Sequence, residues 1–241
     1  MPPRLVVCLP TYDERENIGP MVEALERVID IEHDRVLVID DGSPDGTGRL
    51  ADGLARERPW LHVLHREAKE GLGRAYLAGF RWALAEGAEL VAEIDCDFSH
   101  DPADLPRLVA ACDGADLALG SRYVPGGGTR NWGLARRLIS RGGSLYARAV
   151  LGVAVADLTG GFKCFRRVVL ETIDLDAVAT RGYAFQIEIT YRALRRGFRV
   201  AEVPIVFTDR LVGGSKMSRA VVAEAIWRVP LLRLAAFRGR L

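Results

Sequence analysis

Short apolar runs alternate with helical periodicity through residue 97. Leu5 to Leu9 is continuously apolar and stops at Pro10. A run without polar alternation reads as a strand buried on both faces. Ile18, Met21, Val22, Leu25, Val28 and Ile29 then recur on one helical face, and Asp13 and Glu16 before it have capping-box spacing. The pattern predicts a second buried strand over 35–39, a helix over 47–57 and a third strand over 61–65. A helix from Gly71 to Ala85 and a fourth strand over 90–94 follow. Strands alternating with helices imply βαβ units with right-handed crossovers, hence an α/β fold with a mostly parallel sheet flanked by helices.

The second half is less regular. A short strand is predicted over 116–120, a mobile loop over 124–130 around Gly126-Gly127-Gly128, and a helix over 132–151. Residues 158–166 read as extended and 185–195 as helical. Residues 199–207 read as a strand, placed at an edge by Pro204.

Polar clusters fall at the carboxyl ends of the predicted strands: Pro10 to Glu14, Asp40-Asp41, and Asp95-Cys96-Asp97. Ligands of open parallel sheets bind along that rim. Residues i and i+2 of a strand face the same way, so Asp95 and Asp97 can aim their carboxylates at one point. Oxygen ligands suit Mg²⁺ or Mn²⁺ held beside phosphates. Taken alone, the pair is equally a solvated strand end, and the shared rim favours the metal.

Composition narrows the choices. The chain has 241 residues, 49% of them hydrophobic, and a formal net charge of +1. That balance argues against a general nucleic-acid binder. Cys8, Cys96, Cys112 and Cys164 form no CxxC pair, so neither a zinc nor a thioredoxin signature is present and a reducing compartment is expected. No signal peptide is visible, and no apolar run reaches the roughly eighteen residues of a membrane span.

Six motifs stand in order: Pro10-Thr11-Tyr12-Asp13-Glu14-Arg15-Glu16-Asn17-Ile18, Asp40-Asp41-Gly42-Ser43-Pro44-Asp45-Gly46-Thr47, Gly71-Leu72-Gly73, Asp95-x-Asp97, Gly120-Ser121-Arg122-Tyr123 and Gly213-Gly214-Ser215-Lys216. With these the chain resembles the inverting GT-A glycosyltransferases of family 2. Within them it is most similar to the polyprenol (dolichol) phosphate mannose synthases, over about residues 5–220. The resemblance implies a GT-A fold, a GDP-mannose donor, a polyprenyl (dolichyl) monophosphate acceptor in the membrane, and a polyprenyl-phosphate β-mannose product. It implies that Pro10, Tyr12, Glu14, Ile39 and Asp41 line the nucleotide pocket, with Lys69 nearby. Asp95 and Asp97 match the metal pair, and the resemblance implies that Cys96 between them, where Ala is commoner, contacts the donor through its backbone. Ser99 stands where some relatives carry a Gln ligand, so a shorter hydroxyl replaces a longer amide there. Arg122, Arg136 and Ser140 match positions that receive the acceptor phosphate, and Arg210 and Lys216 match basic residues that close over the phosphates. Some relatives have membrane helices or membrane partner subunits, so an anchoring partner protein is expected.

The chemistry is consistent with those assignments. A phosphate monoester, with its second pKa near 6, is mostly a dianion at neutral pH. It attacks without a general base and needs positioning, for which an arginine fork is suited. Asp97, Arg122, Arg136 and Lys216 are therefore the expected catalytic group.

Lesser candidates remain open. Asp157 either shapes the acceptor side or forms a turn. Glu188 and Gln186 lie in an apolar helix, where Glu188 needs a partner such as Arg192 or a sugar hydroxyl. His100 is a candidate outer neighbour of the metal, whereas His33, His62 and His65 read as structural or exposed.

Residues 1–218 read as the catalytic domain and 219–241 as a basic amphipathic tail. Arginines among Ile226, Trp227, Leu231, Leu234 and Phe237 suit a membrane interface, which places the protein in the cytoplasm, peripheral to the membrane. Pro230 predicts that the tail is not one continuous helix. Rival readings are a polyprenyl-phosphate transferase using UDP-glucose or a UDP-amino sugar, a sugar nucleotidyltransferase, and a noncatalytic binding subunit. The acidic Tyr12-Asp13-Glu14 argues against the nucleotidyltransferase, and the intact Asp95, Asp97, Arg122 and Lys216 against the binding subunit.

Overall fold

In the computed structural model, which describes residues 1–178, 182–209, 219–239 and 241, the first apolar run becomes β1 (Leu5–Thr11). Leu5, Val7 and Leu9 enter one core, and Val6 and Cys8 enter another. A strand between two cores has no polar face, so its sequence shows no alternation. β2 (Asp34–Asp40) divides likewise, with Val36 and Val38 on one side and Leu37 and Ile39 on the other. β1 pairs in parallel with β2 and with β4 (Leu90–Glu93), and β2 with β3 (Leu61–His65).

α1 (Arg15–Glu26) and α2 (Thr47–Glu57) cover the first face through Ile18, Met21, Leu25 and Ala51. α3 (Leu72–Ala85) covers the second through Tyr76, Leu77, Phe80 and Ala83. Gly79 permits that approach: an added Cβ would fall 2.6 Å from Ile39 Cδ1 and 2.9 Å from Cys8 Sγ. A residue that weakens a helix is kept where contact requires it.

The chain continues through α4 (Leu105–Ala111), β5 (Leu117–Ser121), β6 (Gly128–Arg130), α5 (Leu134–Leu151) and β7 (Lys163–Arg166). α6 (Arg167–Thr172), α7 (Gly182–Arg195), β8 (Val200–Pro204), β9 (Val206–Thr208) and α8 (Arg219–Phe237) complete it. The main sheet runs β3-β2-β1-β4-β7-β5-β8. β7 is antiparallel to both its neighbours, β4 and β5, whereas β5 and β8 are parallel.

Several local expectations are corrected. Gly128–Arg130, inside the predicted mobile loop, is a strand pairing in parallel with β9. The strand predicted over 199–207 is two: β8 lies at the sheet edge with Pro204 last, and β9 leaves to join β6. Of residues 158–166 only the last four form a strand. The capping box does not form, because Asp13 stands outside α1 at φ +55° and Glu14 caps without a side-chain bond.

α8 is one continuous helix despite Pro230. Proline has no N–H for the carbonyl of Ile226, and the Tyr146 hydroxyl on α5 donates to that carbonyl instead, at 2.9 Å. Val229, Leu232 and Ala236 of α8 pack with Ala147, Leu151 and Tyr191 in a third core.

Candidate active site

The β1 and β2 ends are tied together before any ligand is considered. Asp13 N–H donates to Ser43 Oγ at 3.2 Å, and Glu14 N–H donates to Thr47 Oγ1 at 3.0 Å. Asp13 takes the left-handed backbone that lets the chain turn there. Asp41 N–H donates to the Thr11 carbonyl at 3.1 Å, and the Glu14 carboxylate accepts from Asn17 Nδ2 at 2.7 Å. Arg66 pairs with Asp41 and with Glu70; burial nevertheless raises the Asp41 carboxyl above its ordinary range, against the pull of Arg66. Lys69 Nζ sits 3.7 Å over the Tyr12 ring, a cation–π contact. The predicted nucleotide residues Tyr12, Asp41 and Lys69 thus gather at neighbouring strand ends. Pro10 is buried on β1 beside Ile39, whose side chain lies in the core under α3. Both residues are buried, and neither side chain lies open on the rim.

β4 stops at Glu93, so Asp95 and Asp97 sit on the turn beyond it and strand alternation does not align them. Other contacts do. Tyr76 on α3 donates its hydroxyl to Asp95 Oδ1 at 2.9 Å, and its ring stacks on Phe185 with centroids 6.0 Å apart. Phe98 adopts φ +56°, a costly conformation for a bulky residue. The resulting turn returns Ser99 N–H to Asp97 Oδ1 at 2.9 Å. Cys96, small and buried, fits between the aspartates.

The oxygen-only donor set of Asp95 and Asp97 fits Mg²⁺ or Mn²⁺, and Ser99 Oγ is buried beside them without a hydrogen-bond partner. Among the described residues no three His, Cys, Asp or Glu side chains form a metal cage, but a Mg²⁺ that shares its shell with phosphates needs only one or two carboxylates.

His100 is buried with its ring 5.3 Å from Phe162 and 5.0 Å from Phe207. Burial holds its pKa down to about 4, so it is neutral. Beneath this corner Lys163 is fully buried, donating to Glu93 at 2.9 Å, to the Gly160 carbonyl at 2.6 Å and to Gln186. Burial drives both members of the ion pair toward neutrality, lowering Lys163 and raising Glu93, against their mutual attraction. Glu188 has the partner its position called for, Arg192 at 2.9 Å.

Across β7 lies a second cluster. Arg122 directly follows β5 and is clamped by Asp157, with Nε to Oδ2 at 2.7 Å and Nη2 to Oδ1 at 2.6 Å; Nη2 also reaches Thr159 at 2.7 Å. Asp157 is therefore the buried counter-ion of Arg122. Arg136 bonds Asp209 at 2.6 Å and lies 4.2 Å over the Trp132 ring. Ser140 Oγ accepts from the Tyr123 hydroxyl at 2.7 Å. Arg122, Arg136 and Ser140 are brought together with Tyr123, Trp132, Asp209 and Phe207. Arg210, Gly213-Gly214 and Lys216 lie outside the described residues. A separate cleft of about 760 Å³, lined by Arg4, Asp34, Leu105, Cys112 and Arg166 at the opposite strand ends, contains none of the predicted site residues.

A family model, glycosyl transferase family 2, matches residues 6–174.

The chain belongs to glycosyl transferase family 2.

Among curated family 2 relatives, polyprenol monophosphomannose synthase of Mycolicibacterium smegmatis is 52% identical over 228 residues, covering 94% of this chain and 85% of its own. Undecaprenyl-phosphate mannosyltransferase of Micrococcus luteus is 49% identical over 233 residues, covering 97% and 95%. Glucosyl-3-phosphoglycerate synthase from Mycobacterium tuberculosis, solved with Mn²⁺, uridine diphosphate and glucosyl-3-phosphoglycerate, aligns with a TM-score of 0.65 at 21% identity, over 99% of this chain and 80% of that one. The same enzyme solved with Mg²⁺ and uridine diphosphate aligns at 0.62. These structures establish the fold, GT-A, as the motif order implied.

Sequence reasoning did not reach Tyr76, Tyr123, Trp132, Lys163 or Phe207 as neighbours of the site. Tyr123 stood inside a quoted motif. The others carry no local signal, because strands and helices distant in sequence bring them in.

Proposed function

We propose that this protein moves mannose from GDP-mannose to a polyprenyl monophosphate with inversion, giving polyprenyl-phosphate β-mannose. The observation that carries this reading is the pair of relatives near half identity, both named for mannose and a prenyl phosphate, over nearly the whole chain. The geometry supports it. β7 separates β4 from β5, so the carboxylate corner and the arginine corner stand two strand spacings apart, roughly 10 Å. A donor diphosphate and an acceptor phosphate fit on either side of one sugar.

On the donor side Tyr12, Lys69 and the Asp41–Arg66 pair hold the nucleotide. Asp95 and Asp97, with Ser99 beside them, would hold Mg²⁺ or Mn²⁺, which when bound offsets the charge growing on the departing diphosphate. On the acceptor side Arg136 and the clamped Arg122 orient the phosphate, with Ser140 on the same helix face. An acceptor oxygen forms its bond to the sugar C1 as the bond from C1 to the diphosphate breaks, and GDP leaves with the electron pair. A single displacement inverts C1. The acceptor is already a dianion, so no side chain removes a proton. Arg210 and Lys216 are assigned, by family position, to the leaving diphosphate.

We also assign α5 and α8 to the membrane surface where the acceptor resides. Leu138 is 72% exposed, Trp227 75% and Phe237 89%, and the exposed Arg137 and Arg141 add charge that suits anionic lipid. No described helix is long and apolar enough to cross a membrane.

The test is incubation with labelled GDP-mannose, Mg²⁺ or Mn²⁺ and a polyprenyl phosphate, followed by lipid extraction and anomer analysis. Labelled β-mannosyl lipid is expected. Label entering lipid only from UDP-sugars would replace the donor assignment.

A further inference from the structure

Trp132 precedes α5, between Asn131, at φ +63°, and the helix-capping Gly133. That left-handed turn lies where the chain leaves β6, and Trp132 is only 7% exposed although both its sequence neighbours are exposed. Its ring is held edge-on by Phe207 at 5.2 Å and lies beneath the guanidinium of Arg136. Packing accounts for the ring but not for the indole nitrogen. Trp132 Nε1 is buried with no hydrogen-bond partner, and so is the adjacent Arg136 Nε.

An indole N–H and a guanidinium N–H can only donate. Neither satisfies the other, and both belong to one small volume, because the Arg136 guanidinium carbon is 4.2 Å from the Trp132 ring centroid. Buried donors without acceptors are rare in folded proteins. Two of them side by side, one carrying charge, point to an anionic acceptor. α5 also opens without a side-chain cap, which leaves the anion-attracting end of an 18-residue helix directed to the same place. Asp209 engages Arg136 through Nη1 and leaves the Nε edge to the ligand.

We infer that Trp132 is itself a ligand of the acceptor: its indole N–H donates to an oxygen of the phosphate monoester, beside the N–H of Arg136 Nε. This rests on the acceptor reading above for the identity of the phosphate. The inference explains why an indole stands here. A phenyl ring would stack on Arg136 and meet Phe207 equally well but offers no donor.

The test separates the donor from the ring. In Trp132→Phe the Michaelis constant for farnesyl phosphate, a soluble short prenyl phosphate, should rise roughly tenfold, as expected for one lost hydrogen bond to a charged group. That for GDP-mannose should stay within twofold. An unchanged acceptor constant, or equal losses for both substrates, overturns the inference. A second measurement stands apart from turnover and from the variant's folding. In proton NMR of the wild-type chain one indole N–H should shift downfield on adding farnesyl phosphate, and the peak absent from Trp132→Phe should be the one that moves. Inorganic phosphate should produce the same shift at higher concentration if the headgroup alone suffices, and no shift with either ligand overturns the assignment. Should the wild-type chain make no mannosyl lipid while the indole shift persists, the transfer reading fails and the phosphate site stands.

Discussion

Asp157 grips Arg122 through two parallel bonds of 2.7 and 2.6 Å and accepts a third, at 3.0 Å, from the Arg122 backbone N–H. Both side chains are buried, with 5% of Arg122 and none of Asp157 exposed. Burial would raise the Asp157 carboxyl, but Arg122 outweighs it and holds the pKa below the usual range. Asp157 thereby fixes the orientation of the arginine that follows β5.

Asp157→Asn should cost about 3–5 kcal/mol, the usual penalty for leaving one member of a buried ion pair unmatched. Urea unfolding at neutral pH measures it. The sign of the pH effect follows from the lowered pKa. The stabilisation is complete above the unfolded value near 4 and disappears as pH falls through the lower folded value. The variant should lack that acid-side loss; a wild-type acid profile would show that the pair is not what Asp157 contributes.

Asp97→Ala should lower metal-dependent mannosyl transfer roughly 100-fold or more. The fold should survive with a loss of about 1 kcal/mol, since Ser99 N–H loses its acceptor. Turnover measured across a Mn²⁺ titration, alongside a thermal melt, checks both. Undiminished turnover would remove Asp97 from the metal site.

Lys163→Met should destabilise by about 3–5 kcal/mol, because Glu93 stays buried without its cation. Adding Glu93→Leu should recover most of that loss, as apolar pairs often replace buried ion pairs at little cost. The double-mutant cycle is read from denaturant midpoints. A double variant no more stable than the single one would place the importance of Lys163 in its bond to the Gly160 carbonyl.

Leu138→Glu combined with Trp227→Glu should reduce cosedimentation with anionic phospholipid vesicles several-fold while leaving transfer to soluble farnesyl phosphate unchanged. Both side chains lie on the surface of the fold, so lost stability should be within about 0.5 kcal/mol. Equal pelleting would take α5 and α8 off the membrane.

The parts of this molecule legible in its sequence are those in which local pattern and tertiary environment agree. β1 and β2 showed as unbroken apolar runs because both their faces are buried, and the acidic clusters showed because parallel strands deliver their loops to one rim. Asp157 was ambiguous because its partner is 35 residues away. Pro230 predicted a break because the hydroxyl that replaces the missing bond comes from Tyr146, 80 residues before the Ile226 carbonyl it serves. Asp95 and Asp97 were expected to share a strand face, but both lie past the end of β4, where Tyr76 holds one and the turn at a left-handed Phe98 holds the other. Strand order was also illegible: nothing in Lys163–Arg166 announces that it will run antiparallel between two strands formed earlier in the chain.

That insertion of a later strand between two earlier ones bears on how the chain folds. In the finished sheet Lys163–Arg166 is what fills the gap between β4 and β5, and without it each of those apolar strands would lack its partner on that side. Such edges recruit other chains. The carboxylate corner and the arginine corner cannot come into register before four residues from the middle of the second half are threaded between them. Truncations ending before Arg166 should therefore aggregate on the ribosome's side of folding, and the catalytic halves should mature together, in one late step.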